Sequence, residues 1–168
     1  MDSYMVVLRL IHLFSSVIWA GFTFAMVLLI APAFAPMGAD GGRMILRISG
    51  TRNFRAIIPS ASGLTVLSGV LLYYRLFGPM APLNTGAGLA LTVGGIAGVL
   101  AFVEGLRIDR TQRALREAAQ AIGEGKPSHE EMAKMQALQQ KMGRLTATAA
   151  VLMIVALAGM TLSEYFAI

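Results

Sequence analysis

YMVVLRLIHLFSSVIWAGFTFAMVLLI, residues 4–30, is an apolar run carrying one thin stripe of polar and thioether side chains. At alternating steps of three and four, the stripe reads Met5, Arg9, His12, Ser16, Trp19, Thr23 and Met26, flanked almost entirely by Val, Leu, Ile, Phe, Ala and Gly. A helix needs roughly 20 such residues to cross a hydrocarbon core of about 30 Å. A guanidinium and an imidazole are expensive in lipid, so Arg9 and His12 are expected to face protein, water or a ligand. The stripe therefore predicts a membrane-embedded helix and marks where any chemistry would sit.

Three more segments follow the same pattern, at about Ile57–Phe77, Gly86–Leu106 and Leu145–Phe166. Pro59 is expected in the first turn of the second, where a helical N–H has no partner to lose. The breaker-rich stretch Gly78-Pro79-Met80-Ala81-Pro82-Leu83-Asn84 separates the second from the third. The alternation of a membrane barrel is absent. Composition agrees: 56% of the 168 residues are hydrophobic and 14% charged, against about 45–50% and about 25% in soluble domains. The expected fold is all-α, one membrane-embedded domain over residues 1–168 built as a four-transmembrane-helix bundle. The first segment lacks a basic n-region and a small-residue cleavage site, so it is expected to remain in the mature protein.

The arginines and lysines set the orientation. Arg43, Arg47, Arg52 and Arg55 lie between helices one and two; Arg107, Arg110, Arg113, Arg116, Lys126, Lys134, Lys141 and Arg144 lie between three and four. Only Arg9 and Arg75 lie towards the other side. Basic loops stay cytoplasmic, which places both termini outside an inner membrane. The net charge of +5 is thus a topology signal, and no aromatic-lined basic groove suggests nucleic acid. The long loop, about 107–144, reads as a helical hairpin extending helices three and four into the cytoplasm. Ile108, Leu115 and Ile122 recur every seven residues, Gly123–Pro127 breaks the chain, and Ser128 with Glu131 forms a capping box. Met132, Met135, Leu138, Met142 and Leu145 then share a stripe. In the first loop, Pro32 and Pro36 are expected to end helix one, Gly41-Gly42 to turn the chain, and Arg43–Arg47 to form a short interfacial turn of helix among anionic headgroups.

Small residues forecast the packing. Ser62, Thr65, Ser68 and Gly69 lie near one face of helix two, leading down to Tyr73; helix three has Gly88, Thr92, Gly95 and a Gly94/Gly98 pair of the G-x-x-x-G kind. Such residues let helix backbones approach closely, or leave space for a flat ligand. The Gly94/Gly98 face also makes a homodimer plausible, and the hairpin offers a surface for a cytoplasmic protein partner.

Leu8-Arg9-Leu10-Ile11-His12, Val17-Ile18-Trp19-Ala20-Gly21 and Ala31-Pro32 resemble the first helix of the copper-resistance D (CopD) superfamily, which includes the HemJ-type protoporphyrinogen oxidases. Ile58-Pro59 through Leu67-Ser68-Gly69-Val70 resembles its second helix, and Pro127-Ser128-His129-Glu130-Glu131 with Leu138-Gln139 resembles the hairpin of uncharacterised members. The resemblance implies haem binding through the first-helix histidine, here His12. In HemJ-type members a third-helix lysine is also needed; this chain has no lysine before Lys126, which disfavours the oxidase activity.

The candidate site is accordingly His12, Arg9, Ser16 and Trp19. His12 would ligate haem b or, less readily, copper, since neutral imidazole suits both metals. Otherwise it is a buried histidine tying two helices together. Arg9 would hold an anionic group such as a propionate, or pair with Glu164. The other histidine, His129, lies in the hairpin, so a second axial ligand would come from Met5, Met26, Met153 or Met160. The chain has 11 methionines and no cysteine, which excludes disulfides and thiolate sites. Phosphate-loop, zincin and hydrolase motifs are absent. Two other functions remain open: a non-catalytic scaffold or subunit, and a carrier of a small apolar molecule.

Overall fold

The structure, a computed structural model, describes residues 3–78, 83–122 and 127–166, with the side chain of Ala39 left aside. Among the described residues all regular secondary structure is helical, without a strand. The first span comprises α1 (Ser3–Ala25), a π-helical turn (Met26–Ile30), α2 (Ala31–Phe34) and a 3-10 turn (Ala35–Met37). Then come α3 (Gly38–Gly50), α4 (Arg52–Phe77), α5 (Gly86–Ile122) and α6 (His129–Tyr165). Four helices are long and apolar enough to cross a membrane: Ser3–Met37, Arg52–Phe77, Gly86–Ile122 and His129–Tyr165. Large apolar side chains such as Phe14, Leu29, Leu67 and Val151 face outward, the pattern of a bundle solvated by lipid rather than water.

Three expectations are corrected. Pro32 does not end the first helix. A proline has no N–H and its ring collides with the carbonyl four residues back. The chain widens before it instead, with the Ala31 N–H bonded to the Met26 carbonyl five residues back, and the span continues to Met37. Gly41-Gly42 is not a turn but lies inside α3. A Cβ at Gly41 would collide with the Phe34 carbonyl, so the glycine permits the close crossing where α3 folds back. The turn itself falls at Gly38, whose φ of +54° favours glycine. Pro59 lies well inside α4, because Thr51 rather than a later residue caps that helix, accepting from the Phe54 N–H at 3.4 Å.

Thirty-seven residues each, α5 and α6 are about 55 Å long at 1.5 Å per residue. Both outrun a hydrocarbon core of about 30 Å, and they pack along their lengths. The buried residues include Gly94, Ala97, Ala101, Thr111 and Leu115 on α5 and Ala149, Ala150, Met153 and Ala156 on α6. The capping box at Ser128 and Glu131 is formed, with both reciprocal bonds present. Positions 79–82 and 123–126, where the two breaker-rich links were anticipated, lie outside the described residues. Gly94 is engaged within the chain: a Cβ there would stand 3.0 Å from the Ala156 carbonyl oxygen, and one at Gly159 would stand 2.8 Å from the Gly94 Cα. The Gly94 part of the face expected to mediate dimerisation is therefore covered by α6.

Candidate functional site

Two turns of α1 face α4 and meet it through side-chain hydrogen bonds. His12 Nδ1 lies 2.9 Å from the Thr65 carbonyl oxygen and 3.3 Å from Ser68 Oγ. The carbonyl can only accept, so Nδ1 carries the hydrogen. In the neutral ring that leaves Nε2 with a free lone pair, and Nε2 makes no hydrogen bond among the described residues. Fixing one imidazole nitrogen on a backbone carbonyl is how ligating histidines are oriented. Ser68 accepts there because its own hydroxyl donates back to Leu64 O at 2.5 Å. Three residues before Ser68, the Thr65 hydroxyl lies 2.9 Å from Ser15 Oγ and 2.8 Å from Ala61 O, its single proton shared between them.

Gly69 makes room for the ring. A Cβ at that position would stand 2.9 Å from His12 Cε1 and 3.3 Å from Nδ1. Sequence alone marks Gly69 only as a small residue; its pairing with His12 depends on the axial register of α1 against α4.

His12 opens onto a cavity of about 570 Å³ between α1, α4 and α5, within the roughly 300–1,000 Å³ typical of ligand sites. Arg9, Trp19, Tyr73, Gly95 and Met160 also line it. Tyr73 and Thr92 join α4 to α5 across it, their hydroxyl oxygens 2.8 Å apart. Gly95 has nothing within 4 Å of where a Cβ would be, so packing does not impose the glycine; it leaves space.

The predicted site residues separate. Arg9, His12 and Trp19 line this cavity together, whereas Ser16 does not line it and donates to Leu13 O at 2.8 Å. Its neighbour Ser15 is buried and faces α4 at Thr65, and it does not line the His12 cavity either. Both lie one helical turn beyond His12, so spacing could not choose between them. Trp19 sits in the core with Ala61, Ala101 and Met153, its ring edge-on to Phe102 at 6.5 Å. The anticipated Arg9–Glu164 pair does not form: Arg9 has no ion pair among the described residues, and Glu164 is exposed near the end of α6. Glu104 does pair, its Oε1 2.8 Å from Arg107 Nη1.

Of the four candidate sulfur donors, Met160 shares the His12 cavity, Met26 lines a second cavity, Met153 is in the core, and Met5 lines neither. Among the described residues no cluster of three or more His, Asp or Glu side chains could hold a metal ion. One imidazole, His12, and one thioether, Met160, line the same largely apolar cavity. No family model, curated protein or solved structure matches the chain.

Proposed function

We propose that the chain is a multi-pass inner-membrane protein that holds haem b in the His12 cavity, as its resemblance to the CopD/HemJ-like superfamily suggests. The carrying observation is the imidazole whose Nδ1–H is fixed on Thr65 O while Nε2 is free, beside a cavity of about 570 Å³. His12 would hold the haem through Nε2, with Met160 as a thioether lining the same cavity and Arg9 as a cation for a propionate. The haem iron, when bound, would supply one-electron chemistry. The protein's part is to orient His12, surround the group with Leu72, Phe77, Leu91 and Ile96, and exclude water. Copper would find a single imidazole and a single thioether here, a poor set for a metal that takes several soft donors.

The polar halves of α5 and α6 lie at the same end of the bundle as α3, since Gly42 approaches Gln139 there. That end collects the loop arginines and lysines. Under the positive-inside rule it is cytoplasmic, which makes Arg107–Arg144 a cytoplasmic hairpin and puts both termini outside. A phosphatase fused to the C-terminus should be active; a fusion active only as a cytoplasmic reporter overturns the orientation.

The function is tested by purifying the full chain in detergent from cells supplied with haem precursor. A Soret band is expected, lost in His12→Ala because no other described imidazole lines the cavity. Colourless, folded wild-type protein overturns the haem reading. It would favour a second one, a carrier of a small apolar molecule, which the apolar lining also suits.

A further inference from the structure

A second cavity, about 560 Å³, lies on the other side of Trp19, towards α3 and the polar ends of α5 and α6. Its inner end is apolar, with Trp19, Phe22, Ile58 and Phe102; its outer end carries Arg55, Gln112 and Gln139. Helix α3 contributes Ile45 and Leu46, and a Cβ at Gly42 would stand 3.1 Å from Gln139 Nε2. Along α5, the stretch from Ala101, level with Trp19 in the core, to Gln112 is about 16 Å at 1.5 Å per residue. The cavity is therefore elongated, greasy inside and polar at its mouth.

Its charges are unbalanced. Arg55 and Asp109 are the charged residues of the lining. The Asp109 carboxylate is 2.6 Å from Arg113 Nη2, so it is neutralised locally. The Arg55 guanidinium has no ion pair or hydrogen bond among the described residues. Packing does not explain the glycines here either: Gly105 and Gly143 both line the cavity, and neither has an atom within 4 Å of where a Cβ would be. Each gives up helix propensity relative to alanine.

We propose that this second cavity binds an amphiphile with an anionic head and a hydrocarbon chain, the head on Arg55 and the chain running in towards Trp19. The chemistry is shared by an anionic phospholipid and a free fatty acid. The proposal is independent of the haem reading, which concerns the opposite side of Trp19.

Trp19 is the sole tryptophan, so its fluorescence reports directly. Full-length protein in detergent is titrated with brominated phosphatidylglycerol, brominated phosphatidylcholine or brominated oleate. Saturable quenching at one molecule per chain is expected with an anionic probe, at an affinity about tenfold above phosphatidylcholine, in keeping with one hydrogen bond to a charged group. Arg55→Gln should erase that preference and Gly105→Leu the binding, while Gly95→Leu, which fills the other cavity, should leave both intact. Oleate saturating where phosphatidylglycerol does not would identify a free fatty acid as the ligand. Equal affinity for anionic and zwitterionic probes overturns the proposal. So does binding that survives Gly105→Leu, or Gly143→Leu should the first variant fail to fold, or binding that is lost only in Gly95→Leu.

Discussion

The α1–α4 pair and the α5–α6 pair solve one problem in opposite ways. Lipid gives helices no hydrophobic reason to associate, so packing and interhelical hydrogen bonds must supply it. Between α1 and α4 the fastening is polar: His12 on Thr65 and Ser68, Thr65 beside Ser15. Between α5 and α6 no hydrogen bond crosses among the described residues, and backbone lies on backbone at Gly94 and Gly159. A hydrogen bond fixes a direction and tolerates space beside it; a glycine contact removes the space. The ligand-sized cavity at His12 accordingly opens beside the polar pair, while the Gly94–Gly159 contact is closed.

The largest effect should come from disturbing the glycine contact. In Gly159→Ala the new methyl would stand 2.6 Å from the Ala90 carbonyl oxygen and 2.8 Å from the Gly94 Cα. Both are backbone, so no rotamer relieves the clash and the helices must part. Overpacking costs about 1–3 kcal/mol, and here it falls at the upper end. Alanine's propensity gain of about 1 kcal/mol offsets only part of it. Denaturation in mixed detergent micelles should show a loss of about 2 kcal/mol, and a variant as stable as wild type would refute the backbone contact.

Much of this division was legible in the sequence, and the reasons it was not wholly so are physical. Four spans follow from apolar length, and the hairpin helices from heptad spacing with the Ser128–Glu131 box. That His12 faces another helix follows from the cost of an imidazole in lipid. What the sequence leaves open is register. Ser15 and Ser16 are both one turn from His12, and only the placement of α4 selects Ser15. Gly94 and Gly69 look alike as small residues, yet one meets backbone and the other an imidazole. The π-helical turn before Pro32 escaped for a related reason: proline forbids one hydrogen-bond pattern without specifying its replacement.

The smaller effect on stability, and the sharper test of the comparison, is Gly69→Ala. Its methyl would meet His12 Cε1 at 2.9 Å and Nδ1 at 3.3 Å, with nothing but that imidazole among its three nearest atoms. A side chain can swing where a backbone cannot. The ring should rotate away, giving up the bond from Nδ1 to Thr65 O. Hydrogen bonds between membrane helices average about 0.6 kcal/mol, and alanine returns about 1 kcal/mol of helix propensity. Stability measured as for Gly159→Ala should therefore shift by less than about 1 kcal/mol. The orientation of the imidazole does not survive so well, because Nε2 loses the anchor that aims it. Under the haem proposal, the Soret absorbance per protein should fall while the melting behaviour barely changes. A Gly69→Ala protein as unstable as Gly159→Ala would mean that α1 and α4 are held by close packing after all, and that the polar bonds merely decorate it.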